Sequence, residues 1–284
     1  MYKLIIIDLD GTLLNDKKEL NKEDVIMINR AFKEKGVISV IATGRTYMCA
    51  KYIAEKVGEG LSQYIIASNG AVIKDNVNNI FLNKQSISSE DTLKILEYCD
   101  LNKLRHSIDI NSIVIGNERL VNQEKLKDMG EIYKIEKDLL KYFKNNKQES
   151  ISISLTVIGE EDKLLKLKDE FKTYPNIEIT DLCKSFDFKD NIKQEVTYVD
   201  IMCKNATKKN AIKMLSNYLC IKQSEIIAIG DGENDIPMFE VSGLKIAMQN
   251  SIDIVKEKAD YITSNNNNSG VAKAIKKYIF NENI

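Results

Sequence analysis

Histidine is nearly absent from this sequence. The 284 residues contain one, His106, in the middle of the chain. Catalytic triads of the Ser-His-Asp kind and phosphatases with a histidine nucleophile both need an imidazole at the reacting centre. Because His106 lies in a segment separate from the acidic residues considered below, we exclude both classes of enzyme.

Cysteine is sparse and scattered. The five cysteines are odd in number, and no two of them form a CxxC pair. This spacing argues against a disulfide framework and against a zinc site. We interpret them as small buried apolar residues of a protein in the reducing cytoplasm. They are Cys49, Cys99, Cys183, Cys203 and Cys220.

The sequence also lacks long apolar runs, a large net charge and a nucleotide-binding loop. No stretch approaches the ~18 apolar residues of a membrane span, and the start MYKLIIIDLDG lacks the pattern of a secretion signal. The 41 basic and 42 acidic residues leave a formal charge of −1, which gives no reason to expect nucleic acid or a membrane as partner. No GxxxxGK[ST] loop is present, so ATP binding by a P-loop is not expected.

The order of predicted elements indicates two domains. Strands alternate with helices in residues 1–82 and again in residues 196–284, where VTYVDIM is the first strand. This alternation predicts one α/β core with a doubly wound, mostly parallel, Rossmann-like sheet. Residues 83–195 are richer in Lys, Glu and Asn and are predicted to form an inserted α+β domain.

Local signals place some elements within the first segment. Asn21, with Asp24 three residues later, is typical of a helix start, and Gly36 of a helix end. The pair Asn69-Gly70 after the strand QYIIAS favours a hairpin turn.

Acidic side chains follow the predicted core strands. Asp8 and Asp10 come directly after the apolar run KLIII, and Asp231 follows EIIAIG, with Asp235 as a further candidate. The carboxyl ends of parallel strands meet at one edge of a sheet, where ligands bind. Acids gathered there would repel one another and take up protons unless a cation lay between them. A hard divalent ion, for which we expect Mg²⁺, suits such oxygen ligands.

The same edge offers groups for an anion. Thr43 follows the strand VISVIA, the Gly44 amide comes next, and Lys208 stands ahead of a helix. These donors could hold a phosphate beside the cation. Lys204 and Lys209 are alternatives to Lys208 by position. Together the residues indicate phosphoryl transfer.

Four segments, in this order, are DLDGTLL, IATGR, the lysine of KKNAI, and GDGENDIPM. They resemble the four motifs of the haloacid dehalogenase superfamily of phosphatases. SNGA, AMQNS and SGVAKAI resemble its Cof-like sugar-phosphatase branch, and residues 83–195 occupy the place of that branch's type-two cap. The resemblance implies a cytoplasmic, Mg²⁺-dependent phosphomonoesterase for a small soluble phosphate of a sugar, a cofactor or a nucleotide precursor. The cap would exclude water and choose the substrate.

The resemblance also implies a role for individual residues. Asp8 would be the nucleophile that takes the phosphoryl group as an aspartyl-phosphate, and Asp10 the acid and then the base. The ion would be held by the Asp8 carboxylate, the Asp10 backbone carbonyl and Asp231, with Asp235 acting through a water. The residues implied for the phosphate are Leu9, Thr43, Gly44, Lys208 and Asn234. Arg45 and Asn69 are implied for the rest of the substrate.

Two other ligand motifs fit less well. Cys99 to Arg105 has the C-x5-R spacing of cysteine phosphatases, but SSEDTLKILEYC is typical of a capped amphipathic helix rather than of a phosphate loop. A calcium loop would need a third acid before Gly11 and a Glu at its twelfth position.

Two other functions remain open at this stage. A phosphomutase could return the group from the same aspartyl-phosphate to a sugar. A sensor could bind a phosphorylated metabolite without hydrolysing it, although binding alone needs no nucleophile.

Overall fold

The protein divides into two compact units. The computed structural model describes residues 1–118, 130, 132–146, 148–189 and 192–282, apart from the side chains of residues 185–189, 192 and 193. The first unit comprises Met1–Asn83 with Thr207–Ile284, and the second comprises Lys84–Ala206.

The elements follow one another along the chain as strands and helices of ordinary length. The strands are β1 (Leu4–Ile7), β2 (Ile38–Ala42), β3 (Tyr64–Ala67), β4 (Val72–Asp75), β5 (Ile80–Lys84), β6 (Arg105–Ile110), β7 (Ile113–Gly116), β8 (Ile132–Ile135), β9 (Ser152–Val157), β10 (Ile177–Ile179), β11 (Cys183–Lys189), β12 (Ile192–Cys203), β13 (Ile226–Gly230), β14 (Leu244–Ala247) and β15 (Tyr261–Ile262). The helices are α1 (Lys22–Lys35), α2 (Tyr47–Val57), α3 (Glu59–Ser62), α4 (Ser89–Leu101), α5 (Leu139–Asn146), α6 (Glu161–Phe171), α7 (Lys208–Tyr218), α8 (Ile236–Phe239), α9 (Asp253–Glu257) and α10 (Gly270–Ile279). Within the described residues, no helix is both long and apolar enough to cross a bilayer.

The first unit contains an eight-stranded sheet. Its strand order is β15-β14-β13-β1-β2-β3-β4-β5. The strands from β15 to β3 are parallel, and β4 runs antiparallel to β3. The two parts of the sequence therefore build one doubly wound sheet, and the predicted fold class is confirmed.

The centre of this sheet is apolar on both faces. The four aliphatic residues of β1, Leu4–Ile7, are fully buried, and β1 lies between β13 and β2. A strand covered on both faces needs a continuous aliphatic run rather than an alternating one. Burial on both faces therefore explains the LIII run, and Asp8, which follows it, stands at the end of a central strand.

Local signals in the first segment place two turns correctly. Gly36 ends α1 with a left-handed φ of 64°, as predicted. Asn69, with φ 54°, and Gly70 lie in the turn that joins the antiparallel strands β3 and β4, so the predicted hairpin is confirmed. Asn21 is the N-cap residue of α1, and its side-chain amide donates to the Asn266 carbonyl and to the Asp24 carboxylate.

The second unit contains its own, mainly antiparallel sheet. The strand order is β10-β12-β9-β6-β7-β8, with β11 pairing with β12. Apolar side chains from this sheet and from α4, α5 and α6 form one core, among them Ile153, Phe143 and Leu164. Residues 84–206 are thus an α+β unit inserted into the chain of the first.

The second boundary of the insert was predicted too early. VTYVDIM, residues 196–202, belongs to β12, which pairs antiparallel with β9 and β10. The boundary lies after Ala206 rather than after 195. A β-branched run identifies a strand but carries no information about which strand lies beside it, so its sheet could not be read locally.

The cysteines are not all buried as predicted. All five are free thiols, and Cys49 and Cys99 are buried. Cys220, two residues after the end of α7, is exposed. Cys99 lies inside α4, so the predicted helix, and not a phosphate loop, holds the C-x5-R cysteine.

Candidate active site

The ends of three adjacent parallel strands gather polar residues at one edge of the first sheet. Asp8 follows β1, Thr43 follows β2 and Asp231 follows β13. Strand β1 pairs in parallel with both β13 and β2. The topology therefore brings together residues that are more than two hundred positions apart.

Lys208 joins two buried carboxylates. Its Nζ lies 2.7 Å from Asp8 Oδ1 and 2.7 Å from Asp235 Oδ1. The side chain of Lys208 is 2% exposed, and those of its partners are 8% and 1% exposed. A buried ammonium with two carboxylate partners stays charged, and the pKa of Lys208 is raised by Asp8 and Asp235 although burial alone would lower it.

The geometry separates Lys208 from the neighbouring lysines considered for its place. Lys209 pairs with Glu240 in an exposed salt bridge. Lys204 is exposed and belongs to the second unit. Lys208 is the first residue of α7, and the hairpin turn packs against that helix start. A Cβ on Gly70 would lie 2.3 Å from the Thr207 carbonyl oxygen, so only glycine fits there.

Asp235 also supports the backbone of its own loop. Its Oδ2 accepts hydrogen bonds from the amides of Asp231, at 2.9 Å, and Gly232, at 3.0 Å. Gly230 makes this possible, because a Cβ there would come within 2.6 Å of Asp235. The GDGEND segment is therefore folded around the Asp235 carboxylate.

Three acids form a group suited to a cation. One carboxylate oxygen from each of Asp8, Asp231 and Asp235 lies within 4.8 Å of the others. The pKa of Asp8 is raised to about 8, mainly by burial and also by the charges of Asp235 and Asp231, although Lys208 lowers it. Burial also raises the pKa of Asp231 to about 6, against a hydrogen bond from Thr12. Carboxyl groups this close together repel one another when ionised. A hard divalent ion bound by their oxygens would offset that repulsion, so the group suits such an ion.

Thr12 and Gly11 shape this group, and the motif comparison did not single them out. The Thr12 hydroxyl, fully buried, donates to Asp231 Oδ1 at 2.7 Å. Gly11 has φ 81°, and a Cβ there would lie 2.3 Å from Asp231 Oδ2. The signal that could have found them is their position: a glycine and a hydroxyl directly after two strand-end acids.

The carboxylate of Asp10 is not part of the three-acid group. Its carboxylate accepts from Arg45 Nε at 2.7 Å, from Arg45 NH2 at 2.6 Å and from Lys18 Nζ at 2.6 Å. Partial burial would raise the pKa of Asp10, but the hydrogen bonds and charges of Arg45 and Lys18 outweigh it and place the pKa at about 2. The guanidinium of Arg45, predicted to bind substrate, is thus engaged by Asp10.

The remaining predicted residues line the same loops. Thr43 is buried, its Oγ1 accepts from the Arg45 amide at 3.2 Å, and its carbonyl accepts from the Asn69 amide at 2.9 Å. A Cβ on Gly44 would be 3.1 Å from Asn69 Oδ1, so these two residues touch. The loop after β2 and the hairpin turn are therefore in direct contact.

Leu9 and Asn234 differ in exposure. Leu9 is fully buried between the two acids of the first motif, and its carbonyl accepts from the Leu14 amide at 2.8 Å. Asn234 is exposed within the short 3₁₀ turn Glu233–Asp235. His106 lies in β6 of the second unit, where its Nδ1 is 2.8 Å from the Leu104 carbonyl oxygen.

Comparison with known proteins identifies this arrangement. The model of the haloacid dehalogenase-like hydrolases matches residues 5–275. The chain belongs to this family. The resemblance found in the motifs is confirmed, and so is the predicted enzyme class, a phosphatase of the haloacid dehalogenase type.

Relatives match along nearly their whole length. The 5-amino-6-(5-phospho-D-ribitylamino)uracil phosphatase YcsE of Bacillus subtilis is 30% identical over 98% of this chain and 96% of its own. The phosphatase YwpJ of the same organism is 27% identical over 96% and 99%. A crystal structure from Thermotoga maritima superimposes with a TM-score of 0.79 at 27% identity, covering 98% of this haloacid dehalogenase-like chain and 97% of the other.

Proposed function

We propose that this haloacid dehalogenase-like protein is a Mg²⁺-dependent phosphomonoesterase that acts through an aspartyl-phosphate on Asp8. The observation that carries the proposal is the buried contact of Asp8 with Lys208, beside Asp231 and Asp235. A carboxylate at a strand end, next to a fixed ammonium and a cation site, is equipped to meet a phosphate dianion. Neither structural packing nor simple ligand binding needs this combination.

In the first step, a carboxylate oxygen of Asp8 attacks phosphorus, and the bond from phosphorus to the leaving oxygen breaks. Arg45 and Lys18 hold Asp10 as a carboxylate in the free protein, so Asp10 must take up a proton before this step, and it then gives that proton to the leaving oxygen. In the second step, a water attacks the phosphorus of the aspartyl-phosphate and loses its proton to Asp10. Inorganic phosphate leaves, and Asp8 is restored as a carboxylate.

Other residues hold the phosphoryl oxygens while these bonds change. The ammonium of Lys208 neutralises charge beside Asp8, and the Thr43 hydroxyl and the amides of Leu9 and Gly44 supply neutral donors. We also assign Asn234 to this group. Mg²⁺, held by Asp8, Asp231, the Asp10 carbonyl and, through a water, Asp235, would stabilise the charge on the transferring group.

The proposal extends to the organic part of the substrate. We propose a small soluble phosphate of a sugar, a cofactor or a nucleotide precursor, selected by residues of the second unit and by Asn69. The names of YcsE and of a second Bacillus subtilis relative, YwtE, 29% identical, specify a phosphorylated ribitylamino uracil, which makes such polyol phosphates the first class to test. The five free thiols are compatible with the cytoplasm as its location.

One experiment tests the chemistry. Purified protein is incubated with a panel of sugar, nucleotide and cofactor phosphates, with Mg²⁺ and with a chelator, and both free phosphate and isomerised product are measured. We expect phosphate release that requires the cation. Release of phosphate from no member of the panel would count against a phosphatase, and isomerised product without phosphate would indicate a mutase.

The nucleophile is tested by trapping the intermediate with ³²P-labelled substrate and acid quench. Asp8→Asn should give no labelled protein, whereas Asp10→Asn should label and turn over slowly. Labelling of Asp8→Asn to the level of the unmodified protein would refute Asp8 as nucleophile.

A further inference from the structure

The turn after Asp10 is held by a side chain from a distant part of the first unit. Asn250 Nδ2 donates to the Gly11 carbonyl at 2.8 Å, across a separation of 239 residues in sequence. The peptide group that joins Gly11 to Thr12 is bonded at both of its polar ends, because the Thr12 amide donates to the Leu9 carbonyl at 3.3 Å. Rotation of this peptide group would leave both ends without these partners.

Asn266 sets the orientation of the Asn250 side chain. The backbone amide of Asn266 donates to Asn250 Oδ1 at 2.9 Å. A backbone N–H can only donate and a carbonyl can only accept, so the oxygen of the Asn250 side chain must face Asn266 and its NH₂ group must face Gly11. The side-chain amide is thus used at both ends, once toward each loop.

Asn266 is itself fixed by the segment that follows the first motif. Its side chain is buried, and its Nδ2 donates to the Leu14 carbonyl at 3.0 Å and to Asp16 Oδ1 at 3.1 Å. Its carbonyl accepts from Asn21 Nδ2 at 2.6 Å. It belongs to a run of four asparagines, residues 265–268, whose composition is typical of a loop. Because Asn266 is buried and bonded to the segment after β1, this loop is fastened to that segment.

The turn held by Asn250 carries the two residues that shape the cation group. The Thr12 hydroxyl donates to Asp231 Oδ1, and Gly11 lies so close to Asp231 that a Cβ would not fit between them. A displacement of the peptide group between Gly11 and Thr12 would therefore move the hydroxyl that orients Asp231. A continuous series of contacts runs from Asn266 through Asn250 and this turn to Asp231.

We propose that Asn250 and Asn266, here called the asparagine clamp, are positioning residues for the cation site. By holding the peptide group after Gly11, the clamp keeps the Thr12 hydroxyl on Asp231 before an ion binds. The ion then meets a ligand that is already oriented, so less of the binding free energy is spent on ordering it. The inference rests on the function proposed above, which assigns Mg²⁺ to this group of acids.

Binding of a metal ion to the substrate-free protein tests the inference without relying on activity. Mn²⁺ prefers the same octahedral oxygen sites as Mg²⁺, and electron paramagnetic resonance counts the free ion. We expect Asn250→Ala to raise the Kd for Mn²⁺ by roughly 3- to 10-fold, no more than the loss typical of removing a group that directly orients a ligand. Asn250 is exposed, so this variant should fold.

Urea unfolding in the presence of a chelator, measured on the same samples, separates positioning from a structural role. A residue that only stabilises the fold would lower the unfolding midpoint and leave the Kd of the folded protein unchanged. An unchanged Kd in Asn250→Ala, with Mn²⁺ binding by the unmodified protein, would overturn this inference alone. Absence of Mn²⁺ binding by the unmodified protein would refute the cation site and the inference with it.

A double-mutant cycle tests the route through Thr12. Thr12→Val, Asn250→Ala and the combined variant are compared with the unmodified protein in the same Mn²⁺ titration. We expect the combined variant to bind about as weakly as Thr12→Val alone, because the clamp then has no hydroxyl to hold in place. Additive losses would show that Asn250 acts by another route and would contradict the inference.

Variants at matched positions complete the test. Asn250→Gln keeps both the donor and the acceptor on a longer side chain and should recover part of the affinity lost in Asn250→Ala. Asn266→Ala should also raise the Kd, because it loosens the loop that orients Asn250. Asn268→Ala changes an exposed member of the same run and should bind Mn²⁺ as the unmodified protein does. A loss in Asn268→Ala as large as in Asn250→Ala would indicate general loosening of the loops and would count against the clamp.

Discussion

Lys208 Nζ lies 2.7 Å from Asp8 Oδ1 across a separation of 200 residues in sequence. The same nitrogen contacts Asp235, so a single ammonium connects the loop after β1 with the loop after β13. In the proposed mechanism, this contact fixes one oxygen of the nucleophile and places positive charge where the phosphate arrives. It also gives the buried acids a partner while no substrate is bound.

Removal of that ammonium should affect both stability and activity. Lys208→Met leaves two buried carboxylates without their partner, a change that typically costs roughly 3–5 kcal/mol in free energy of unfolding. We also expect kcat to fall by about 10² or more, by analogy with lost oxyanion donors. Urea denaturation and steady-state kinetics measure the two effects.

Lys209→Met is the matched control for that experiment, because Lys209 is the next residue and forms an exposed pair with Glu240. Exposed pairs are worth about 0–1 kcal/mol, so this variant should be close to the unmodified protein. Equal losses in the two variants would contradict the assignment of Lys208.

Gly11→Ala should disturb the cation site. The new Cβ would meet Asp231 Oδ2 at 2.3 Å, and the backbone there has a left-handed φ of 81°. Asp231 must move, so we expect the Mg²⁺ concentration for half-maximal activity to rise by about 10-fold or more.

Gly36→Ala separates the clash in Gly11→Ala from simple backbone strain. Gly36 also has a left-handed φ, of 64°, but a Cβ there would meet nothing within 4 Å. It should cost about 1 kcal/mol of stability and leave the Mg²⁺ dependence unchanged. A similar shift in Mg²⁺ dependence for both variants would rule out the contact with Asp231 as the cause.

Thr12→Val should weaken cation binding without unfolding the protein. Valine has nearly the same shape as threonine but cannot donate to Asp231 Oδ1, which loses a 2.7 Å hydrogen bond. Loss of such an orienting partner typically costs 10–100-fold in metal affinity, so we expect a shift of about 10-fold in the Mg²⁺ titration. Thr12→Ser retains the hydroxyl and should titrate normally, and a shift in Thr12→Ser as large as in Thr12→Val would exclude the hydrogen bond as the reason.

The stability of the first unit should depend on Asp24. This carboxyl is fully buried in α1, where its Oδ1 accepts from the Ala272 amide at 2.7 Å. Burial raises its pKa to about 6, against the hydrogen bonds from Ala272 and Asn21. A raised pKa means that the folded state holds the proton longer, so this contribution to stability is complete below about pH 4 and is lost as the pH rises through about 6.

Asp24→Asn removes this titration and keeps an acceptor for Ala272. Relative to the unmodified protein, the variant should gain up to roughly 3 kcal/mol between pH 4 and pH 7. Denaturant unfolding across that range, in the presence of a chelator, measures the difference. A difference that does not change with pH would show that the carboxyl titrates normally.

Much of the first unit could be predicted because its signals are local. The LIII run identifies a strand buried on both faces, Gly36 marks a helix end and Asn69-Gly70 marks a hairpin, each from adjacent residues. The parallel topology then implies that the strand-end acids meet. Asp24 is the exception within α1, because its position in the helix gave no indication that an acid would face the core.

The sequence by itself determined which side chains stand at the strand ends, and the family to which they belong, because strand alternation and motif order are properties of the chain. Only the tertiary structure decided which lysine reaches Asp8, which sheet receives VTYVDIM, and that Arg45 and Lys18 hold Asp10. These contacts join residues distant in sequence or in neighbouring loops. Their distances depend on how the strands are ordered and how the loops pack, which no local pattern of residues specifies.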